Sequence, residues 1–510
     1  MTEPGAAGTS RTSALELAHL VVDPGSFVQW DTVPLPPPGE YRAHSPGYLS
    51  DLATARRTTG LEEAVVTGEA RLGGRPVAIV MSDFGFLAGS IGVSAAERLV
   101  QAIERATARR LPLIAAPASG GTRMQEGTIA FLQMVKISAA VTAHKAAGLP
   151  YLVYLRHPTT GGVLASWGSL GQVTAAEPGA LLGFLGPRVY RALYGRDFPA
   201  GVQTAENFAA HGLVDAVVAP GQLREVAIPA LTVLAAPREP PPPVPDVPDE
   251  QPAGAPAWES IRRSRRRDRP GLRALLRVAA NTVTPLHGTG AGEREPGLLL
   301  ALARFGAAPC VVLGHDRRHA DRSLGPAGLR EARRGMQLAA ELRLPLVTVI
   351  DTAGAELSKE AEEGGLAGEI ARCLAQLTTL PTPTVCLLLG EGAGGTALAL
   401  LPADRVLCAE HAWLSPLPPE GASAIMYRTT GRAAELAGAQ GVRSTDLSRH
   451  GIVDRIIAER PDAADEPELF LARTGQALEH ELAALMRRPA GDLVPDRLAR
   501  YRRLGMPGEA

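Results

Sequence analysis

Short apolar segments alternate with longer segments of helical periodicity along most of the chain. Residues 63–83 hold two apolar segments around a Gly-Gly turn, which predicts two antiparallel strands. Residues 94–109 carry apolar positions at helical spacing, and the apolar run 111–116 leads through glycines into a long apolar segment at 129–143. This alternation of strands and helices is typical of an α/β layer structure with a covered sheet.

The same order of segments returns 233 residues later. Residues 111–114 (LPLI) correspond to 344–347 (LPLV), and Gly161-Gly162 corresponds to Gly394-Gly395 at the same offset. A repeat of this kind indicates two domains of one fold. We predict a disordered N-terminus at 1–12, an N-terminal domain at 13–236, a proline-rich linker at 237–256, a C-terminal domain at 257–490 and a tail at 491–510.

Composition limits the class of protein. With 510 residues, 45% hydrophobic content and a formal net charge of −1, we expect a globular chain without a general attraction to nucleic acid or to anionic membranes. The four cysteines lie in the second half without CxxC spacing, so the pattern indicates neither a zinc ribbon nor a disulfide framework. The N-terminus lacks the features of a signal peptide, and we expect a cytoplasmic protein.

Each half carries two glycine turns that follow successive strands. They are Gly120-Gly121 and Gly161-Gly162 in the first half, and Gly354 and Gly394-Gly395 in the second. Backbone N–H groups at such turns, together with the positive N-terminal end of the next helix, favour an oxyanion. One Gly-Gly turn also suits tight strand–helix packing, so the repetition is what predicts a two-donor oxyanion hole in each half.

Other polar residues admit both catalytic and structural interpretations. Glu126 and Glu391 are candidates for a general acid or base, although acidic residues near helix N-termini more often complement the helix dipole. His157, Ser166 and Asp215 have the residue types of a hydrolase triad but not the nucleophile-elbow pattern. The arginine-rich run at 262–269 is interpreted mainly as a solvated surface, with a phosphate site as the alternative.

Ordered motifs in both halves match one family. In the first half they include Ser119-Gly120-Gly121, Arg123-Met124-Gln125-Glu126-Gly127, Thr160-Gly161-Gly162-Val163 and Gly186-Pro187-Arg188-Val189. In the second half they include Pro285-Leu286-His287-Gly288, Asp351-Thr352, Gly390-Glu391-Gly392 and Pro419-Glu420-Gly421. Over nearly its whole length the chain therefore resembles the carboxyltransferase of biotin-dependent acyl-CoA carboxylases, of the acetyl-CoA carboxylase type, with β-like and α-like subunits fused.

The resemblance implies two crotonase-like (ClpP/crotonase) α/β domains related by internal duplication. It implies carboxybiotin on a separate carrier protein as CO2 donor and a CoA thioester as acceptor, in the chemistry of fatty acid biosynthesis. The implied partners are biotin carboxylase and biotin carboxyl carrier protein. A homodimer or higher homo-oligomer is expected, with the active site between the first domain of one copy and the second domain of another. Because the zinc ribbon of the β subunit is missing, no metal is expected in this chain.

Within this chemistry we assign roles to individual residues. The acyl-CoA enolate is assigned to Gly120, Gly121, Gly161 and Gly162; biotin to Gly354, Gly394, Gly395, Thr396 and Ala397; and CoA phosphates to Arg123, Lys136 and Arg188, although single basic residues more often face solvent. Two turns of the second half, 353–358 and the one with Thr396, depart from the family pattern. Two alternatives therefore stay open: a biotin-independent malonyl-thioester decarboxylase on the same fold, and a non-catalytic assembly subunit.

Overall fold

The computed structural model describes residues 12–30, 34–35, 47–237, 240–245, 254–319 and 323–506. The chain divides into two compact units, Met1–Leu231 and Thr232–Ala510. The predicted disordered segment 1–12, apart from Thr12, lies outside the described residues, as does half of the predicted linker, namely 238–239 and 246–253. Among the helices of the described residues, none combines the length and the apolar character needed to cross a bilayer.

The first unit is built on one large sheet. Its strands are β1 Val28–Gln29, β2 Val65–Leu72, β3 Arg75–Ser82, β4 Leu113–Ala116, β5 Tyr151–Leu155, β6 Thr159–Thr160, β7 Val173–Ala176, β8 Leu182–Gly183 and β9 Ala216–Val217. Seven of them follow the order β1-β2-β3-β4-β5-β7-β9, and β6 pairs with β8 separately. The first two pairings are antiparallel and the other four in the large sheet are parallel.

Helices connect and cover these strands. They are α1 Ala14–Val21, α2 Tyr48–Thr59, α3 Val93–Ala108, α4 Gly127–Ala146, α5 Gly161–Leu164, α6 Pro187–Tyr194, α7 Ala205–Ala210 and α8 Leu223–Leu234. All residues of β4 and β5 are buried, as expected for parallel strands covered on both faces. The predicted helices at 94–109 and 129–143 correspond to α3 and α4. Gly120-Gly121 follow the central strand β4, and Gly161-Gly162 follow β6 and begin α5.

The second unit repeats this plan. Its strands are β10 Thr282–Leu286, β11 Leu298–Phe305, β12 Ala308–His315, β13 Leu346–Thr352, β14 Thr384–Ala393, β15 Arg405–Ala409, β16 Trp413–Ser415 and β17 Arg455–Ile457. The sheet order is β10-β11-β12-β13-β14-β15-β17, with β16 pairing β14. Again the first two pairings are antiparallel and those that follow are parallel.

The helices of the second unit include a C-terminal pair. They are α9 Ala257–Ser264, α10 Leu272–Ala279, α11 Pro326–Leu342, α12 Lys359–Glu363, α13 Leu366–Thr378, α14 Gly394–Ala399, α15 Pro419–Tyr427, α16 Ala433–Ala439, α17 Ser444–Arg449, α18 Pro467–Leu485 and α19 Ala490–Arg503. The predicted tail thus begins with a helix. Buried Arg497 anchors α19 by an ion pair with Asp404 at 2.8 Å.

Equivalent backbone bridges show how closely the two units correspond. Ile91 pairs with Thr122 in the first unit, and Leu324 pairs with Ala355 in the second. Likewise Ser119 pairs with Thr159, and Thr352 pairs with Gly392. Each residue lies 233 positions before its counterpart, so the offset found in the sequence is also the offset between equivalent bridges beside the glycine turns.

Candidate active site

The first glycine turn of the first unit follows β4. Gly121 has a φ of +108°, a conformation that favours glycine. Its N–H donates to Ser119 Oγ at 3.0 Å, and the N–H of Gly120 donates to the Ala88 carbonyl at 2.9 Å. Both of these predicted oxyanion donors therefore already have partners inside the chain.

The second glycine turn lies directly against the first. Gly161 has a φ of +60°, and its N–H donates to the Phe184 carbonyl at 3.0 Å. A Cβ added to Gly121 would lie 3.6 Å from the Gly162 nitrogen. The Gly162 amide, at the second position of α5, makes no hydrogen bond within the described part of the chain. Of the four predicted donors, Gly162 is the one that remains available to a ligand.

The second unit builds the same pair of turns. The Gly354 N–H donates to Thr352 Oγ1 at 3.1 Å, as the Gly121 N–H donates to Ser119. Gly354 and Gly394 both have positive φ values, +144° and +73°, and a Cβ on Gly394 would lie 3.8 Å from Gly354 Cα. The Gly395 amide, like that of Gly162, has no hydrogen-bond partner among the residues described here.

Thr396 and Ala397 differ from the glycines in exposure. Both residues are 0% exposed, whereas Gly394 and Gly395 are partly exposed. Thr396 Oγ1 is buried and has no partner in the described chain. The departure from the family pattern at Thr396 therefore lies beneath the turn, and the ligand-facing part of this turn is Gly394-Gly395.

Arg123, a predicted CoA contact, lies inside a buried ion cluster. It is 1% exposed and pairs with Glu63 at 2.6 Å, and Glu126 lies 3.7 Å away. Burial lowers the pKa of Arg123, but the Glu63 carboxylate outweighs it and holds this pKa above its usual value. Tyr48 and the Val93 N–H both donate to Glu126. These contacts favour structural roles for Arg123 and Glu126.

The other two predicted CoA contacts remain near the surface. Lys136 on α4 forms an ion pair with Glu97 and keeps 43% of its side chain exposed. Arg188 on α6 is exposed and makes no ion pair with any described residue. Of the three basic residues, Arg188 is thus the one whose charge is uncompensated.

The remaining catalytic alternatives are held by nearby groups. Glu391 pairs with Arg265 at 2.9 Å. His157 Nδ1 accepts from the Leu181 N–H, Ser166 Oγ donates to the Gly162 carbonyl at 2.6 Å, and Asp215 accepts from the Thr174 N–H. Within the described chain no group of three His, Cys, Asp or Glu side chains has a metal-binding arrangement.

Sequence reasoning missed the residues that hold the turns in place. Ala88 and Phe184 act through their carbonyls, which have no side-chain signature. Tyr48 and Glu63 join Arg123 across long sequence separations, and no periodicity links them. The ordered motifs around Arg123 were the available signal, but they do not distinguish a buried ion pair from a ligand contact.

The comparison with known families identifies the chain. The carboxyl transferase domain matches residues 11–492. The chain belongs to the carboxyl transferase domain family. The family resemblance predicted from the sequence is thereby confirmed.

Members of this carboxyl transferase domain family with high identity align along almost the whole chain. A Mycobacterium tuberculosis protein, the probable biotin-dependent acyl-coenzyme A carboxylase beta3 subunit, is 60% identical over 503 residues, covering 98% of this chain and 99% of the relative. The acetyl-coenzyme A carboxylase carboxyl transferase subunits beta/alpha of Salinispora tropica are 40% identical over 527 residues, covering 99% and 93%.

Solved structures support the fold of this carboxyl transferase domain protein. The transcarboxylase 12S crystal structure, described as a hexamer with methylmalonyl-coenzyme A bound, has a TM-score of 0.73 at 20% identity, covering 94% of this chain and 90% of that one. A single-chain, multi-domain long-chain acyl-CoA carboxylase has a TM-score of 0.67 at 18% identity, covering 90% and 46%. The predicted fold class, two crotonase-like α/β domains, is confirmed.

Proposed function

We propose that this chain is the carboxyltransferase component of an acyl-CoA carboxylase. It moves CO2 from carboxybiotin on a carrier protein to the α-carbon of acetyl-CoA, propionyl-CoA or a related acyl-CoA. The names of its relatives support its assignment to the biotin-dependent carboxylases, and the 60% identical relative is named an acyl-CoA carboxylase subunit. The partners in this proposal are biotin carboxylase and the biotin carboxyl carrier protein.

The matched pair of unpartnered amides is the observation that carries the proposal. Gly162 and Gly395 occupy the same position at the start of equivalent helices, and each amide makes no hydrogen bond within the described residues. Helix-start amides of this kind are satisfied by ligands or water. Removing the α-proton of a thioester places negative charge on its oxygen, and a fixed amide stabilises that charge without reorganisation. We assign the enolate oxygen to Gly162.

The second unit has the donors that a biotin ureido oxygen requires. The Gly395 amide is unpartnered in the described chain, and the Gly354 turn lies so near that a Cβ added to Gly394 would contact Gly354 Cα. Bound carboxybiotin would supply CO2 and, after its release, a basic nitrogen. Gly354, Gly394 and Gly395 would hold and orient the ureido group, and buried Thr396 and Ala397 would support the turn from below.

A surface arginine provides the contact for CoA in this proposal. Arg188 projects from α6, and α6 follows Phe184, whose carbonyl accepts the Gly161 N–H. Its exposed and unpaired guanidinium suits a phosphate, which accepts two parallel N–H donors. Lys136 is assigned a weaker contribution, because Glu97 already compensates its charge. Arg123 is left out because it is buried against Glu63.

An assembly of more than one copy is also part of the proposal. Helix α4, which starts beside the first glycine turn, exposes the large apolar side chains Phe131, Leu132 and Val135 by 61%, 51% and 68%. Adjacent exposed apolar side chains of this size are typical of interfaces. The transcarboxylase 12S protein, which shares the fold, assembles as a hexamer and supports the same conclusion.

The test is carboxylation by the purified chain. It would be combined with bicarbonate, ATP, biotin carboxylase and biotinylated carrier, and acetyl-, propionyl- and longer acyl-CoA compared. We expect carrier-dependent product with one preferred acyl group. Malonyl-CoA decay that needs no biotin, without any carboxylation, would instead establish a decarboxylase. Failure of both reactions with a folded oligomer would favour an assembly subunit.

A further inference from the structure

Two adjoining cavities lie in the second unit, and the larger one borders the Gly354 turn. Their volumes are about 520 and 310 Å³, and both are lined by Arg267, Asp316, Arg317 and Arg318. The larger one extends to Thr352-Ala353, immediately before Gly354. Its volume falls in the range of small-molecule sites, which is about 300–1,000 Å³.

The linings of these cavities contain more cations than carboxylates. Seven arginines and three carboxylates line the two together, among the described residues. Some arginines are compensated: Arg317 pairs with Asp351 at 2.8 Å, and Arg273 pairs with Asp316 at 2.6 Å.

The charges of three other arginines in these linings are not fully compensated. Arg267 and Arg277 are exposed and have no ion-pair partner in the described chain, and Arg318 has only Asp316, at 3.8 Å, which it shares with Arg273. The surplus positive charge therefore faces the cavities.

A further group of donors lies beside the smaller cavity. Helix α10 starts after Gly271, which provides no side-chain cap, and Gly271 lines the smaller cavity. The Ala274 N–H already donates to the Gly271 carbonyl at 3.0 Å, so the first two amides of α10 are the donors with positive dipole character near Arg267.

We propose that the two cavities bind a small anion with more than one phosphate group, of nucleotide size. Guanidinium forks match phosphate oxygens in pairs. Arg267 and Arg318 line both cavities and Arg277 lines the smaller one, so two separate phosphates are accommodated better than one. The phosphates come either from the nucleotide part of CoA or from a free nucleotide. If the source is CoA, this inference rests on the proposed function and adds a phosphate contact to it; if the source is a free nucleotide, it goes beyond that function.

Calorimetric titration of the full chain tests the site. The probe is adenosine 3′,5′-bisphosphate, compared with inorganic phosphate and with adenosine. The test variant is Arg267→Ala with Arg318→Ala, and the matched control is Arg262→Ala, an exposed arginine of the same run that lines neither cavity. Arg277→Ala provides a second test variant in case the double variant does not fold.

We expect the bisphosphate to bind about tenfold or more tightly than phosphate, and the test variants to weaken it about tenfold while the control stays within about twofold. Titration with CoA in the same variants then separates the sources: parallel weakening identifies CoA, and unchanged CoA binding identifies a free nucleotide. The proposal is overturned if adenosine binds as well as the bisphosphate, if no binding occurs, or if the test variants and Arg262→Ala bind alike.

Discussion

At the scale of single residues, the conformation of Gly161 has a testable consequence. Its φ of +60° is costly for a residue with a Cβ, by about 1 kcal/mol, and its N–H holds the turn that presents Gly162. We predict that Gly161→Ala lowers kcat/KM for carboxylation about 100-fold or more, because the Gly162 donor moves away from the enolate oxygen. Steady-state kinetics with the reconstituted partners measures this.

Gly60→Ala is the matched control for that variant. Gly60 has a φ of +68°, ends helix α2, and has open space around an added Cβ. The Gly60→Ala variant therefore has a backbone strain comparable to that of Gly161→Ala, but it displaces no donor. Equal losses of activity in the two variants would show that strain alone, rather than the placement of Gly162, causes the effect.

Thr396 gives a second prediction at this scale. Its hydroxyl is buried without a partner in the described chain, and an unpaired buried polar group costs about 1–3 kcal/mol. Val163 occupies the equivalent position in the first unit. We predict that Thr396→Val raises the free energy of unfolding by about 1 kcal/mol, measured by denaturant titration, and leaves carboxylation in place.

The control for Thr396 is another buried threonine of the second unit. Thr348 Oγ1 donates to the Leu400 carbonyl at 2.7 Å, so Thr348→Val removes a satisfied hydrogen bond. We expect this variant to lower stability by about 1 kcal/mol. Destabilisation of similar size in both variants would contradict the view that the Thr396 hydroxyl is unsatisfied.

At the scale of elements, the buried ion cluster ties several segments to the first glycine turn. Arg123 precedes α4, Glu63 precedes β2, and Tyr48 begins α2. We predict that Arg123→Ala lowers the free energy of unfolding by about 3–5 kcal/mol, because it leaves the Glu63 carboxylate buried and unpaired.

Arg188→Ala should instead leave stability unchanged and raise the KM for acyl-CoA. Both effects are measured on the same preparations, by denaturant titration and by kinetics.

Helix α11 carries a carboxylate that makes stability depend on pH. Burial raises the pKa of Glu331 from 4.5 to about 7, although Gly288 and Glu295 donate backbone hydrogen bonds to it. The folded state therefore binds a proton on Glu331 more tightly than the unfolded state does. The stability that this protonation contributes is lost as pH rises from about 4.5 to 7.

The variant Glu331→Gln isolates this effect. We predict that the stability of the wild type relative to the variant falls with pH across that interval, with a slope approaching about 1.4 kcal/mol per pH unit. Denaturant titrations at several pH values measure the difference. A difference that is constant between pH 4.5 and 7 would show that Glu331 is not protonated in the folded protein.

At the scale of the whole molecule, the sequence predicted the features that repeat. Hydrophobic periodicity located most central strands and helices, and the offset of 233 residues identified the duplication, because both depend on local patterns. The positions of Gly121, Gly161, Gly354 and Gly394 followed from the same offset.

What the sequence could not predict depends on tertiary contacts. The Gly120 and Gly161 amides differ from Gly162 because they donate to the Ala88 and Phe184 carbonyls, which lie in other parts of the chain. The burial of Arg123 against Glu63 is of the same kind. Motif patterns specify which residues occur in a turn, but availability to a ligand is decided by what packs around it.

The exposed apolar face of α4 carries the last prediction. Phe131 and Val135 are one helical turn apart and are 61% and 68% exposed, so leaving both in water is unfavourable by about 25 cal/mol for each Å² of apolar surface. We predict that the wild type is an oligomer and that Phe131→Asp with Val135→Asp shifts it towards the monomer and abolishes carboxylation.

Sedimentation velocity at several concentrations measures that shift, and Leu20→Asp is its control. Leu20 on α1 is also exposed, by 47%, but lies on a different helix from the α4 face. A desolvated carboxylate opposes association wherever the face is covered, whereas a carboxylate in water does not. If the α4 variant sediments as the wild type does, a second copy does not cover this face, and the apolar side chains of α4 must then serve another contact.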